Sequence, residues 1–423
     1  MHYKKTTLKN GLRLIMVPMK DTQTATVLIM VGVGSRYENK KEAGLSHFIE
    51  HMFFKGTKKR PSTLSISEEL DSIGGEFNAF TDKDKTGYYA KTDSKHLMTA
   101  LDVVSDMYLN SKIEAEEIER EKGTIIQELN MYEDIPPRIV GDVFEFLLYP
   151  KNSLGCKIVG DKKTIQAFKQ KDFLKYMDRF YVANDTVVCV AGKFKKDEIL
   201  KAVKHYFSGM KEGAKASFRK VVENQKMPQF KIQYKKTDQT HLIIGNRAFD
   251  EHNERRYALG LLSVILGGNM SSRLFIEVRE RRGLAYSVHT FGDSFAECGY
   301  VATQAGVEHG NLAKVLNVIL DEYKKIASEK VSQKELQKAK DYIKGKSVMG
   351  LESSDEVAMF FIDQELKKKK ILLPEEIFRR IDKVSASEIL KVAKEVFQRK
   401  TLNLAVIGPH KNSASIRKLL DNF

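Results

Sequence analysis

The chain repeats itself, and this repetition constrains its fold more than any other feature of the sequence. Residues Phe180–Phe207 and Val396–Phe423 both read as an apolar strand, a glycine turn and an amphipathic helix. The segment Thr26–Gly34 has a counterpart that begins at His241–Gly245, so two pairs of segments recur in the same order. Two ordered matches favour an internal duplication over chance similarity. A chain of 423 residues is also too long for one hydrophobic core, so two homologous domains are expected.

The two repeats predict two α+β halves, each a largely antiparallel sheet packed with helices. We place the halves at residues 1–211 and 229–423, joined by a polar, lysine-containing linker at 212–228. An Asn-Gly pair at residues 10–11, between two strand-like runs, predicts a hairpin, and residues 75–92 predict a second one. Because the strands arrive as hairpins rather than as alternating strand–helix units, antiparallel sheets are expected.

Composition narrows the classes of function. The net charge of +15 raises the hypothesis of nucleic-acid binding. The basic residues are interleaved with acidic ones and no nucleic-acid-binding signature accompanies them, so a lysine-rich solvated surface is favoured. Three separated cysteines give neither a disulfide framework nor a cysteine metal site. There is no signal-peptide core and no run of about 18 apolar residues, so we expect a cytoplasmic protein without a membrane span.

The candidate chemistry is concentrated in Gly44–Gly56, with the sequence GLSHFIEHMFFKG. A helix over Leu45–Lys55, ending at the closing glycine, would present one apolar stripe and one polar face. The apolar stripe would consist of Leu45, Phe48, Ile49, Met52 and Phe53. On the polar face, His47 and His51 lie one turn apart and could share one zinc ion. Glu50 would lie beside the metal and reach a metal-bound water, which is the H-x-x-E-H arrangement.

A catalytic zinc needs a third protein ligand and one open position. The predicted helix Glu114–Glu133 contains Glu121 and Glu128, two turns apart on the same side, and periodicity does not choose between them. With Glu50 as a general base, the arrangement predicts hydrolysis of a carbonyl compound by metal-activated water. Peptide hydrolysis is the natural reaction, although other amide hydrolysis is permitted. The alternative is a helix whose polar face happens to hold two histidines and a glutamate.

Four segments carry a resemblance to a known family: GLSHFIEHMFFKGT (44–57), GGEFNAFTDKDKTGYY (74–89), EREKGTIIQEL (119–129) and SSRLFIEVRERRGLAYSV (271–288). Together they resemble the pitrilysin (insulinase) family of inverted-zincin metallopeptidases. Within it, they are most similar to the two-domain branch with the mitochondrial processing peptidase subunits and their bacterial relatives. The resemblance implies His47, His51 and Glu128 as Zn²⁺ ligands. It further implies Glu50 as the catalytic base and Glu121 as a residue that supports a ligand or handles protons.

The resemblance also implies residues that hold the substrate. Asn78, on an expected edge strand, matches an asparagine that binds the substrate backbone, and an edge strand can accept an extended peptide. Arg279 and Tyr286 match an arginine–tyrosine pair that contacts substrate near the zinc. Taken without the resemblance, these three residues are a turn-adjacent polar residue, an ordinary helix arginine and a tyrosine that opens a strand.

The second half has lost the metal site. The residues aligned with His47, Glu50 and His51 are Gly260, Ser263 and Val264. Relatives of this kind enclose a chamber with four homologous domains, so the resemblance implies a homodimer, or a heterodimer with a paralogous chain. In such a dimer Arg279 and Tyr286 would complete the partner's site. The expected function is a zinc endopeptidase for unfolded peptides or oligopeptides, and the alternative is a non-catalytic accessory subunit. The complete ligand set argues against that alternative.

Overall fold

The computed structural model describes residues 1–367, 370–411, 417, 419–420 and 423, and it mixes helices with two sheets. The strands are β1 Lys4–Thr7, β2 Arg13–Pro18, β3 Thr24–Val31, β4 Glu76–Thr81, β5 Thr86–Asp93, β6 Thr186–Gly192, β7 Gln229–Tyr234, β8 Thr240–Ala248, β9 Ala285–Ser294, β10 Gly299–Val307 and β11 Leu402–Gly408. The helices are α1 Leu45–Met52, α2 Thr63–Asp71, α3 Leu97–Asn110, α4 Ala115–Glu133, α5 Pro136–Leu148, α6 Lys162–Ala167, α7 Gln170–Phe180, α8 Lys196–Phe207, α9 Arg256–Gly267, α10 Leu312–Ser328, α11 Gln333–Gly350, α12 Ser354–Lys367, α13 Pro374–Lys383 and α14 Ala386–Val396. The predicted α+β class is confirmed. Within the described residues, no helix combines the length and apolar character needed to cross a bilayer.

The first sheet contains the candidate chemistry. Its strand order is β1-β2-β6-β3-β5-β4, and every pair is antiparallel except β2 with β6. The predicted Asn-Gly hairpin joins β1 to β2, and Gly11 takes a φ of +87°, which glycine adopts without strain. The second predicted hairpin joins β4 to β5, with Thr81 opposite Thr86. Strand β4 lies at the end of the strand order and pairs, among the described residues, only with β5.

The second sheet repeats this connectivity, which supports the predicted duplication. Its order is β7-β11-β8-β10-β9, again with one parallel pair, β7 with β11, and otherwise antiparallel pairs. Strands β7, β8, β9, β10 and β11 thus take the places of β2, β3, β4, β5 and β6. The helix predicted after Gly408 in the second repeat falls mostly outside the described residues, whereas its counterpart α8 is present.

The chain divides into two compact units that are not continuous in sequence. The first unit comprises residues 1–130, 156–219 and 348–373, and the second comprises 131–155, 220–347 and 374–423. The predicted halves, 1–211 and 229–423, therefore do not coincide with the two compact units. That the halves arose by duplication stays a separate prediction. The segment 212–228 has no helix or strand, as expected of a linker, and it is divided between the units.

The discontinuity arises because each sheet is covered by a helix from the other half of the sequence. In the first unit, α12 places Phe361 and Ile362 against apolar residues of β3 and β6. In the second unit, α5 places Val140 and Phe144 against β8 and β11. Strand β6 is buried along its whole length, which explains its continuous apolar sequence.

Candidate metal centre

Helix α1 carries the H-x-x-E-H motif, and its start is capped from a distance. Gly44 precedes the helix with a φ of +95° and has no side chain that could cap it. The carboxyl oxygens of Glu38 instead accept hydrogen bonds from the backbone N–H groups of Gly44 at 2.8 Å and Ser46 at 2.7 Å. Burial outweighs these hydrogen bonds and raises the pKa of Glu38 to about 8.

The helix ends earlier than the sequence predicted. It closes at Met52 rather than at Lys55, because Phe54 and Lys55 donate to carbonyls only three residues back and tighten the chain into a turn. Gly56 then takes a φ of +123° and leads into the bridge between Thr57 and Ser111. The expected helix over residues 45–55 is therefore correct only over its first eight residues.

The two faces of α1 are arranged as predicted. The whole apolar stripe, Leu45, Phe48, Ile49, Met52 and Phe53, is at most 1% exposed. On the polar face His47 is buried, whereas Glu50 and His51 are partly buried. Packing of the apolar stripe in the core thus fixes helix α1, and His47, Glu50 and His51 lie on its opposite face.

The two imidazoles converge on one carboxylate of helix α4. Nε2 of His47 lies 3.6 Å from Oε2 of Glu128, and Nε2 of His51 lies 3.4 Å from the same oxygen. The ring centroids of the two histidines are 4.6 Å apart. One ligand atom from each of the three residues lies within 4.8 Å of the others, so the three side chains could hold a single ion.

Glu121 takes a different position, and the structure thereby distinguishes the two glutamates that periodicity left open. Nδ1 of His51 lies 2.9 Å from Oε1 of Glu121, on the side of the ring opposite Glu128. The second Glu121 oxygen accepts an ion-paired hydrogen bond from Lys55. Burial alone would raise the pKa of Glu121, but the hydrogen bonds from His51 and Lys55 outweigh it and lower the pKa.

The same contacts change the basicity of His51. Burial alone would lower the pKa of His51, but the hydrogen bonds to Glu121 and Glu128 outweigh it and raise the pKa to about 9. In the absence of a metal, the His51 ring therefore carries a second proton at neutral pH, and its two N–H groups face Glu121 and Glu128. A divalent cation is the natural replacement for that proton, since metal ligation requires the neutral imidazole.

The donor set fits zinc. Two imidazole nitrogens and one carboxylate oxygen form a common catalytic ligand set, with bonds of about 2.0–2.2 Å and a fourth position open. Tetrahedral geometry at those bond lengths separates neighbouring ligand atoms by roughly 3.4 Å. The observed separations of 3.4 Å and 3.6 Å from Glu128 to the two histidines agree with that spacing. The Glu121 hydrogen bond would orient His51 as outer carboxylates commonly do for metal-binding histidines.

Glu50, the predicted base, contacts a residue that the sequence analysis did not single out. Oγ1 of Thr81 donates a hydrogen bond of 2.6 Å to Oε2 of Glu50. Lys55 and Glu38 were also missed, although both support the site. Of these residues, only Glu38 could have been found from the sequence. It is an acidic residue shortly before a helix whose preceding residue, Gly44, has no side chain to cap it.

Asn78 lies on β4, the strand at the end of the first sheet, as predicted. It is exposed, and its side-chain oxygen accepts a hydrogen bond from the N–H of Ala79 at 2.8 Å. Side chains alternate along a strand, so Asn78 points to the face opposite Phe77 and Thr81. Phe77 stacks on Phe54 just beyond α1, at a centroid distance of 6.5 Å, so it is the Thr81 face that borders the motif.

Arg279 and Tyr286 contact each other within the second unit, and their contact with a substrate stays a prediction. Nη1 of Arg279 donates to the backbone carbonyl of Tyr286 at 2.9 Å, and the guanidinium lies 4.7 Å from the tyrosine ring centroid. The Tyr286 side chain is 78% exposed, so it is free to make further contacts. Arg279 itself belongs to a short π-helical segment, Phe275–Glu280.

Comparison with known proteins identifies the family. Residues 14–162 match the family described as Insulinase (Peptidase family M16), and residues 167–343 match the Peptidase M16 inactive domain. A Bacillus subtilis protein named uncharacterized zinc protease YmxG is 34% identical, over 97% of this chain and 100% of its own length. The chain belongs to the M16 family. The predicted resemblance to pitrilysin-type peptidases is thus confirmed. Several M16 relatives are named zinc proteases, which supports a metallopeptidase at the level of the family.

Solved structures agree with the M16 assignment at the level of the fold. A protease from Helicobacter pylori has a TM-score of 0.91 and 22% identity, covering 96% of this chain and 99% of that one. A chain of complex III2 from Candida albicans has a TM-score of 0.85 and 17% identity, covering 99% of each. The fold of this chain is therefore shared with a protein called a protease and with a chain of complex III2.

Proposed function

We propose that the protein is a zinc-dependent endopeptidase that hydrolyses unfolded peptides or oligopeptides. Its metal ligands are His47, His51 and Glu128, and Glu50 is the general base. The observation that carries this proposal is the convergence of both histidine Nε2 atoms on one oxygen of Glu128, at 3.6 Å and 3.4 Å. Relatives that are named zinc proteases add support at the level of the family.

The chain's own residues divide the chemistry between them. A bound zinc ion lowers the pKa of water to about 7 and polarises a carbonyl oxygen. Glu50 takes the proton from the attacking water and returns it to the amine of the leaving peptide. Glu121 accepts a hydrogen bond from the Nδ1–H group of His51, which leaves the Nε2 lone pair of that ring for ligation. Lys55 forms an ion pair with the second oxygen of Glu121, which lowers the pKa of that carboxyl group and keeps it ionised.

The edge of the first sheet is the proposed site for the substrate backbone. Strand β4 pairs, among the described residues, only with β5, so its other edge can accept an extended peptide as one more strand. Asn78, exposed on that strand, is proposed to bind a substrate amide. Binding through the backbone favours unfolded chains and selects weakly by sequence. Arg279 and Tyr286 are proposed as a second contact for the peptide.

We further propose that two chains assemble, because each chain has one complete ligand set and one half without it. The partner is a second copy or a paralogous chain, and the pair encloses the peptide in a chamber of four domains. Sedimentation velocity at the assay concentration, with activity followed in the same fractions, tests this. A fully active monomer would refute the assembly.

The second candidate function is a non-catalytic accessory subunit. Two observations favour it: a domain match named inactive, and a fold shared with a chain of complex III2. The complete His47, Glu50, His51 and Glu128 set weighs against it, since an accessory subunit has no need of a base beside three convergent ligands. Bound zinc without cleavage in any peptide pool would favour this second candidate.

The deciding experiment compares the natural chain with Glu50→Gln and with Glu68→Gln, an exposed control on α2. Zinc content is measured by mass spectrometry, and cleavage is measured on a mixed pool of unfolded peptides. We expect equal zinc in all three proteins and a loss of at least about 10²-fold in turnover for Glu50→Gln only. Equal turnover in the natural chain and Glu50→Gln would remove Glu50 from the mechanism.

A further inference from the structure

The carboxylate of Glu50 is held by a residue outside its own helix. Oγ1 of Thr81 donates to Oε2 of Glu50 at 2.6 Å, and both side chains are partly buried. Hydrogen bonds from a hydroxyl to a carboxylate at this distance are among the stronger ones in proteins. A hydroxyl has one proton to donate, so this donor is committed to Glu50.

The backbone fixes the position of Thr81 from two sides. It is the last residue of β4 and lies opposite Thr86 in the ladder with β5. The next residue, Asp82, donates its N–H to the carbonyl of Lys85 at 2.9 Å and closes the hairpin turn. The carbonyl of Asp82 accepts a hydrogen bond from the N–H of Ser35 at 3.1 Å, which ties the turn to the chain before α1. The hydroxyl therefore approaches Glu50 from a rigid support.

This support matters because a glutamate side chain has three rotatable bonds and few restraints. A hydrogen bond to one carboxylate oxygen selects one rotamer and leaves the other oxygen, Oε1, available for proton transfer. General bases must lie within hydrogen-bond reach of the proton they take, so a fixed carboxylate reacts more often than a mobile one.

We propose that Thr81 is a positioning residue for the proposed hydrolysis: it orients Glu50 so that Oε1 faces the reacting water. This inference rests on the proposed function. It also gives β4 two tasks, since the strand offered to the peptide backbone ends in the residue that orients the base. Substrate binding and the orientation of the base would then share one structural element.

The alternative is that Thr81 only stabilises the hairpin, and the chain allows the two roles to be separated. The β4–β5 ladder is formed by backbone groups, and valine keeps the β-branched shape that suits a strand. Thr81→Val therefore removes the hydroxyl while retaining the ladder, and Thr81→Ser keeps the hydroxyl. Thr92→Val on β5 is the matched control, because its buried hydroxyl has no hydrogen-bond partner among the described residues.

The test measures kcat and KM on a fluorogenic peptide, together with zinc content. We expect Thr81→Val to lower kcat by about 10-fold, the usual value of a hydrogen bond to a charged group. Its KM should stay within about twofold, and its zinc content should equal that of the natural chain. Thr81→Ser should keep most of the activity, and Thr92→Val should be unchanged. If the natural chain is active and Thr81→Val has an unchanged kcat, the positioning role of Thr81 is overturned, whereas the proposed endopeptidase function is not.

A double-mutant cycle shows whether Thr81 acts through Glu50. In the Glu50→Gln background, Thr81→Val should cost no more than about twofold further, since the base that it orients is gone. A full 10-fold loss in that background would show that Thr81 acts elsewhere and would overturn the proposal. Absence of cleavage by the natural chain would overturn both this inference and the proposed function.

Discussion

Nδ1 of His51 lies 2.9 Å from a carboxylate oxygen of Glu121, and this contact determines which nitrogen of the ring is left for a metal. Glu128 occupies the other side of the ring, 3.4 Å from Nε2. Two glutamates two turns apart on one helix thus take different positions: Glu128 lies near Nε2 of both histidines, and Glu121 lies near Nδ1 of His51.

Glu121→Gln should weaken zinc binding without abolishing it. An amide in place of the carboxylate loses the charge that supports His51, and loss of such outer partners commonly costs about 10–100-fold in metal affinity. Glu128→Gln should cost more, since it replaces a charged carboxylate at the proposed metal position with a neutral amide. Competition with a chromogenic chelator measures both. Equal affinities for Glu121→Gln and the natural chain would contradict the orienting role of Glu121.

Zinc affinity should rise with pH. Since the pKa of His51 is raised to about 9 in the metal-free protein, zinc must displace a proton from this ring at neutral pH. Affinity should therefore gain about tenfold per pH unit from this residue between pH 6.5 and 8. Calorimetry in buffers of different ionisation enthalpy counts the released protons. Absence of proton release at pH 7 would contradict a protonated His51.

Glu38 should make the metal-free protein less stable at alkaline pH. Burial raises its pKa from 4.5 to about 8, so the folded state prefers the neutral acid. The contribution of Glu38 to stability is thus complete below pH 4.5 and is lost as the pH rises through 8. Glu38→Gln, which carries no charge, should narrow the difference between thermal midpoints at pH 6 and pH 9. An equal pH dependence in both proteins would contradict this assignment.

Phe361→Ala should destabilise the first unit strongly. The ring is fully buried in the cluster that α12 forms with β3 and β6, and such truncations cost about 3–5 kcal/mol. Glu356→Ala, exposed on the same helix, should change stability by less than about 0.5 kcal/mol. Chemical denaturation followed by far-ultraviolet circular dichroism compares the two. Similar midpoints would show that α12 is not part of the core of this unit.

Local pattern was enough to predict where helix α1 begins and which residues form its two faces, although not where it ends. The 3.6-residue period assigns Phe48 to the apolar face and His47 to the polar face, and the core buries the apolar face as this period requires. Pattern could not choose between Glu121 and Glu128, because both lie on the same side of α4 and the choice depends on which turn α1 meets. That information belongs to tertiary packing.

Two other features were beyond the sequence for different reasons. A threonine in a strand is common, so nothing in the pattern marks Thr81 as a partner of Glu50. The stripes of α5 and α12 show that a face is buried, but an apolar stripe does not say which sheet buries it. The linear domain boundaries therefore missed the exchange of these helices between the compact units.

A chain cut between residues 211 and 229 would leave each fragment with a helix that belongs on the other fragment's sheet. Residues 1–211 alone would expose the apolar side of β3 and β6 to water, and residues 229–423 would do the same with β8 and β11. Each piece would lack part of its core, so we expect neither fragment to fold stably by itself. Each compact unit is therefore built from residues of both halves of the sequence.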